Sequence, residues 1–320
     1  MAACGRLLLS VNALRRLPCN LHDLHPGNGG FAAANTLRHL RVVQFVSRMA
    51  SGDSQAPVSL KQTMQLPTGD SFEVAAASGL SESEFRIAID STLFKQWLKN
   101  MQSKRGILSD GNMHLRRVEV QGIDMFGDRI GFLKFRAEVL DSLTGVKAPG
   151  IVFARGPSVA VLILLESVGK TYAVLTEQVR VPVGKLILEL PAGMVDDGGG
   201  DIVGTAVREV EEEIGISLNV RDMVDLTAFL DSATDCRVFP SPGGCDEELN
   251  LFLYKAHVNE EIIRSLQGKE MGLRDHGELI KVHVVPYDEL WRMTADAKAL
   301  AAIAIYEMAK RDGLLPQSSA

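Results

Sequence analysis

One stretch, PAGMVDDGGGDIVGTAVREVEEEIGI at residues 191–216, constrains this chain more than any other. It leaves an apolar run, KLILEL, passes through a loop rich in glycine (Gly193, Gly198, Gly199, Gly200) and then becomes periodic. Val203, Ala206, Val210 and Ile214 recur at three- and four-residue steps, which predicts a helix over 201–216 with one apolar stripe. At about 100° per residue, Glu209, Glu212 and Glu213 share roughly a third of the circumference, whereas Glu211 points elsewhere. Gly215 is the stop signal. Three carboxylates beside a buried stripe repel one another unless cations neutralise them. Ligands that are all oxygen favour a hard divalent ion, Mg²⁺ or Mn²⁺, and such an ion suits a phosphate-bearing substrate. A run of glutamates alone reads as a solvated helix face. Strand, glycine loop, helix, acid cluster and glycine stop in succession form a far more specific arrangement.

Composition excludes several other classes. With 46% hydrophobic and 23% charged residues the chain has enough apolar material for a core. No apolar run approaches the ~18 residues of a membrane helix; VAVLILL at 159–165 is strand-sized. A net charge of -6 argues against a nucleic-acid partner, which wants a basic face. That charge is unevenly spread. Residues 1–52 carry six arginines, no lysine and one acid, Asp23, a local +5 that leaves -11 for the rest. An arginine-rich, acid-poor leader predicts an organelle transit peptide, leaning mitochondrial in composition without separating mitochondrion from plastid, with Met49 a second candidate start. Cys4 and Cys19 fall in this leader, so Cys236 and Cys245 remain, read as two free thiols.

Between leader and acid-rich helix the chain reads as two units. Residues 51–79 are polar and turn-rich, a linker or a loosely attached strand. Ser81 and Glu84 have capping-box spacing, and Phe85, Ile89, Leu93 and Trp97 follow at four-residue intervals, predicting one amphipathic helix over 81–103. Strands over 118–126 and 129–140 form a hairpin around a Gly-Asp turn. Linker, helix and hairpin give an accessory unit within 53–150. From 151 to 315, strands alternate with helices, ending in helical segments at 289–293 and 295–311. The pattern predicts an α/β (α+β) fold, a mixed sheet sandwiched between helices.

The segment Arg208–Ile216 (REVEEEIGI), with Gly193 ahead of it, resembles the signature of the Nudix hydrolases, G-x5-E-x7-R-E-U-x-E-E-x-G-U, where U is aliphatic. One departure stands out. Fourteen residues separate Gly193 from Arg208 instead of thirteen, and the internal glutamate position falls on Gly199 or Gly200, with Asp201 one step on. TEQVR (176–180), LELPAG (188–193), FPSPGG (239–244) and HGELIKV (276–282) extend the resemblance to the ADP-ribose and ADP-sugar diphosphatase branch, over about residues 60–315.

The resemblance implies an α/β/α sandwich and Mg²⁺-dependent cleavage of the pyrophosphate of a small nucleotide sugar. It implies metal ligation by Glu209, Glu213, Glu212 and the Ala192 carbonyl. Glu278 matches the loop glutamate that serves as catalytic base in the branch, with Arg208 and Glu212 also in the catalytic set. Arg180 matches an arginine that contacts substrate, and Glu189, Pro242, Gly243, Gly244 and Glu247 complete the implied substrate site. A homodimer and a plastid location, set against the mitochondrial composition of the leader, are implied as well; a membrane partner is not. Two alternatives stay open: a Nudix hydrolase of another nucleotide diphosphate derivative (UDP-sugar, NADH), and a non-catalytic nucleotide-sugar binding module.

Overall fold

The computed structural model describes residues 60–195, 201–273 and 278–316. The predicted leader lies outside them.

The first layer is a five-stranded sheet. Strands β1 (Lys61–Gln65) and β2 (Ser71–Ala76) pair antiparallel, so the stretch expected as a linker or a loosely attached strand is strand from residue 61. Its polar look has a plain cause. β1 is exposed along most of its length, and only Phe72, Val74 and Ala75 of β2 reach the interior. Helices α1 (Glu82–Asp90) and α2 (Thr92–Gln102) then cross over to β3 (Met113–Phe126), which lies parallel to β2. The predicted capping box is present: the Ser81 amide donates to Glu84 Oε2 at 2.8 Å and the Glu84 amide to Ser81 Oγ at 3.2 Å. The single expected helix is two. Ser91 adopts extended backbone (φ -62°, ψ 152°), ends α1 and N-caps α2 by accepting from the Phe94 amide. The hairpin of β3 and β4 (Arg129–Asp141) is as expected, and β5 (Ile151–Ala154) closes the far edge. Phe94 and Trp97 of α2 meet Phe135 of β4 edge-on, with centroids 5.8 and 4.7 Å apart. That aromatic cluster seals the first core.

The second layer is an eight-stranded mixed sheet. Its strands are β6 (Pro157–Ser167), β7 (Lys170–Arg180), β8 (Lys185–Glu189), β9 (Ala192–Met194), β10 (Met223–Asp225), β11 (Glu248–His257), β12 (Glu270–Met271) and β13 (Ile280–Pro286). Four more helices lie between or after them: α3 (Ile202–Ile214), α4 (Glu260–Leu266), α5 (Tyr287–Met293) and α6 (Ala297–Arg311). β6 pairs parallel with β11 along its whole length and antiparallel with β7 through Ile163–Ser167 only. Before Ile163 the β6–β7 pair splays. β9 takes over that edge of β6 and β8 takes over the matching edge of β7, so the kinked β8–β9 segment fills the fork.

β6 is buried on both faces, as a central strand must be. Val159, Val161, Ile163 and Leu165 pack with Ala206, Val210 and Ile214 of α3 and Leu266 of α4. Ala160, Leu162 and Leu164 pack with Leu290 of α5 and Ala299, Ala302 and Tyr306 of α6. The result is the expected α/β/α sandwich. Among the described residues no helix is long and apolar enough to cross a membrane.

Candidate active site

The site forms where α3 passes β9 at the mouth of the fork. Asp201 caps α3 by accepting from the Gly204 amide at 2.7 Å. Gly215 ends the helix in left-handed conformation (φ 76°), where the Lys269 ammonium already occupies the space a Cβ needs. Between these ends the apolar stripe lies on the sheet and carries Glu213 inward, 7% exposed. Its carboxylate accepts from the Ala192 amide (3.1 Å) and from Gln178 Nε2 (2.9 Å). Burial, together with the charge of nearby Glu209, outweighs these bonds and pushes the Glu213 carboxyl up to about 8. Glu209, one turn earlier, lies against β9 so closely that a Cβ on Gly193 would fall 1.9 Å from its carboxyl carbon. A larger residue there would displace the Glu209 carboxylate.

The strand ladder orients the third donor. The Pro191 carbonyl accepts from Val161 and the Val195 amide donates to Pro157, so alternate residues of this segment face β6. Ala192 therefore turns its amide and carbonyl to the other edge, where its amide already holds Glu213. Two crowded carboxylates, one of them buried, and a backbone carbonyl form an oxygen-only donor set that fits a hard divalent cation. Among the described residues no three acidic, His or Cys side chains form a metal-holding group. Glu212 and Arg208 sit on the exposed flank of α3.

Arg180, at the end of β7, is held by Glu189: Nε donates to Oε1 at 2.5 Å and an Nη to Oε2 at 3.0 Å. Thr176, Gln178 and Arg180 follow Val174 at two-residue steps along β7, and Val174 packs in the α3 core, so all three rise on the α3 face. Burial opposes ionisation of Glu189, but Arg180 and Lys298 outweigh it and hold that carboxyl below its ordinary range.

The SPGG loop is tied to the first sheet rather than left free. The Phe153 amide of β5 donates to the Gly244 carbonyl at 2.8 Å, and Asp246 Oδ1 accepts from the amides of Arg155 (2.7 Å) and Gly156 (3.2 Å). Glu247 accepts from Ser158 Oγ (3.0 Å) and Arg155 (3.3 Å), fastening the loop to the start of β6. Pro242 and Gly243 lie in the same loop. Cys236 and Cys245 are free, and burial pushes the Cys245 thiol up, away from the reactive thiolate. Glu278 is exposed two residues before Ile280, which pairs with Gln178, and its carboxylate accepts from the Leu273 amide at 3.3 Å. His276 of the same motif lies outside the described residues.

The structure thus brings Ala192, Glu209 and Glu213 together, with Gln178 joined to them, and sets Glu189 beneath Arg180. Sequence reasoning missed Gln178, Lys298, Asp296 and Arg155. Gln178 stood inside TEQVR, a signal within reach; the others carry no local motif.

The profile described as "NUDIX domain" matches residues 154–305. Nudix hydrolase 14, chloroplastic, of Arabidopsis thaliana is 65% identical over 264 residues, 82% of this chain and 85% of its own. An ADP-ribose pyrophosphatase of Haemophilus influenzae is 34% identical over 160 residues, 49% of this chain and 63% of its own. A solved ADP compounds hydrolase is 16% identical, with 64% of this chain and 97% of that one covered, at a TM-score of 0.42. Likeness to a relative matched over most of both lengths, with its signature folded at the mouth of the fork, makes this chain a member of the Nudix hydrolase family.

Proposed function

We propose that the protein hydrolyses the pyrophosphate of ADP-sugars, with ADP-glucose giving AMP and glucose 1-phosphate and ADP-ribose giving AMP and ribose 5-phosphate. The observation that carries the reading is the pair Glu209 and Glu213 held against Ala192 and Gly193, with the Arg180 guanidinium fixed on β7 beside it. Glu209, Glu213 and the Ala192 carbonyl, with Glu212 on the outer flank, would hold Mg²⁺ or Mn²⁺, which would neutralise phosphate charge and polarise the phosphorus. Arg180 binds a phosphate oxygen or the terminal sugar, and Glu189 fixes its fork. Arg208 supports the acid-bearing flank of α3. The backbone of Pro242, Gly243 and Gly244 lines the substrate, and Glu247 keeps that loop in place. Glu278 accepts the proton of the attacking water, whose oxygen joins phosphorus as the bridging P–O bond breaks.

A homodimer and plastid residence belong to the same proposal. Val181, Val183 and Leu186, 59–80% exposed around the β7–β8 turn, supply apolar surface that a second copy would cover. Plastid residence is supported by the word chloroplastic in the name of the Arabidopsis relative.

The test is direct. The full chain is incubated with Mg²⁺ and, separately, ADP-ribose, ADP-glucose, UDP-glucose and NADH, and nucleotide release is followed by chromatography. AMP from the ADP-sugars, abolished by EDTA, is expected. Release of UMP alone would transfer the proposal to UDP-sugars, and no release from any of them would leave only a binding module.

A further inference from the structure

We propose that Lys298, on α6, is a positioning residue for Arg180 that acts through Glu189. The inference rests on the reading that Arg180 contacts the substrate. Lys298 Nζ donates to Glu189 Oε2, the same oxygen that accepts from an Arg180 Nη, and lies 3.1 Å from Asp296 Oδ2. Four charges therefore form a chain: Arg180, Glu189, Lys298, Asp296. The side chains of Glu189, Asp296 and Lys298 are 6%, 10% and 13% exposed, while that of Arg180 is 39% exposed. Arg180 is the open end of an otherwise buried device.

Its base is fixed on both sides of Glu189. Thr294 Oγ1 donates to the Leu188 carbonyl at 2.6 Å, and the Leu190 amide donates to Asp296 Oδ2 at 3.4 Å. Asp296 in turn N-caps α6 by accepting from the Lys298 amide. The start of α6 thus grips the β8–β9 segment one residue before and one residue after Glu189, with Lys298 reaching the carboxylate between.

Charge balance gives the grip a function. With Lys298 the two carboxylates are matched by two cations, and the quartet is neutral. Without it, two buried carboxylates share one guanidinium. The site facing an anionic pyrophosphate then carries a net negative charge, and the Glu189 oxygen that Lys298 held is free to draw Arg180 inward. Orientation and field both suffer, and both act on substrate binding more than on proton transfer at Glu278.

The experiment is a double-mutant cycle on the full chain with ADP-ribose and Mg²⁺. Lys298→Met keeps the aliphatic stem, and it is expected to raise KM about tenfold, the size of one charge-assisted hydrogen bond, with kcat within about twofold. Lys298→Arg should restore most of the loss. In an Arg180→Ala background Lys298→Met should cost much less than the tenfold it costs the parent. Multiplicative losses in that background, or an unchanged KM in folded Lys298→Met, would overturn the proposal. An unchanged KM for Arg180→Ala would instead remove the reading beneath it. Should Lys298→Met fail to fold, Lys298→Gln keeps a donor without the charge; its KM should also rise, and an unchanged KM in the folded variant would overturn the proposal.

Discussion

At Gly193 a single absent methyl group decides whether the two carboxylates can share β9. A Cβ there would lie 2.0 Å from Glu209 Oε1, so Gly193→Ala must push the α3 carboxylate off the strand. Turnover should fall about a hundredfold, the usual consequence of an ångström of misplacement, while circular dichroism and the thermal midpoint change little. Near-parental turnover would mean that Glu209 does not work from this position. Glu213 gives a pH signature in metal-free protein. Its folded carboxyl is raised to about 8 by burial and by Glu209, above the ordinary 4.5 that the unfolded chain shows. The stability contributed by the protonated form is therefore full below the ordinary range and lost as pH rises towards 8. In EDTA the thermal midpoint should drop across that window, and Glu213→Gln should flatten this part of the profile. A flat parental profile would contradict the burial argument. The three glutamates were legible as a shared helical sector, because period alone fixes that. Which one is buried was not, since a period of 3.6 does not say how the sector is turned against the sheet: Glu213 faces in and Glu212 faces out.

Among the elements, α1 and α2 show how a periodic signal misleads. Phe85, Ile89, Leu93 and Trp97 keep four-residue steps across Ser91, and all four are buried, so the pattern survives a break that it cannot announce. Ser91 makes the break by serving both helices, donating to the Ala88 carbonyl at 2.6 Å and accepting from the Phe94 amide at 3.1 Å. The acid-rich helix was legible to within a residue at its start, because Asp201 is a cap and Gly215 a stop. The tether of the SPGG loop is the element-scale feature with the clearest test. Asp246→Ala leaves the Arg155 and Gly156 amides without their acceptor, a cost of about 1–3 kcal/mol for groups that stay shielded from water. The urea midpoint should fall accordingly, and KM for ADP-ribose should rise more than kcat falls. An Asp246→Ala protein with unchanged midpoint and KM would show that the loop stands without its tether.

For the whole molecule, what the sequence hid is sequence distance. Glu189 meets Lys298 from 109 residues away and Arg155 meets Glu247 from 92, and no local period or motif reports such pairs. The continuous apolar run of β6 and the signature around α3 sufficed for the sandwich; the fork that makes room for the site needed three-dimensional pairing. Oligomeric state belongs to this scale. Light scattering should give twice the 34.8 kDa chain mass, and Val181→Asp with Leu186→Asp should halve it. A parental monomer would dispose of the dimer. Finally, the β5 tether bears on what can be cut out of this protein. The matched domain begins at residue 154, one position after the amide that holds Gly244. A fragment trimmed to the match would keep α3, Glu209 and Glu213 but lose the strand on which the SPGG loop hangs. For grafting or circular permutation, the smallest transferable catalyst is therefore larger than the domain that bears its name.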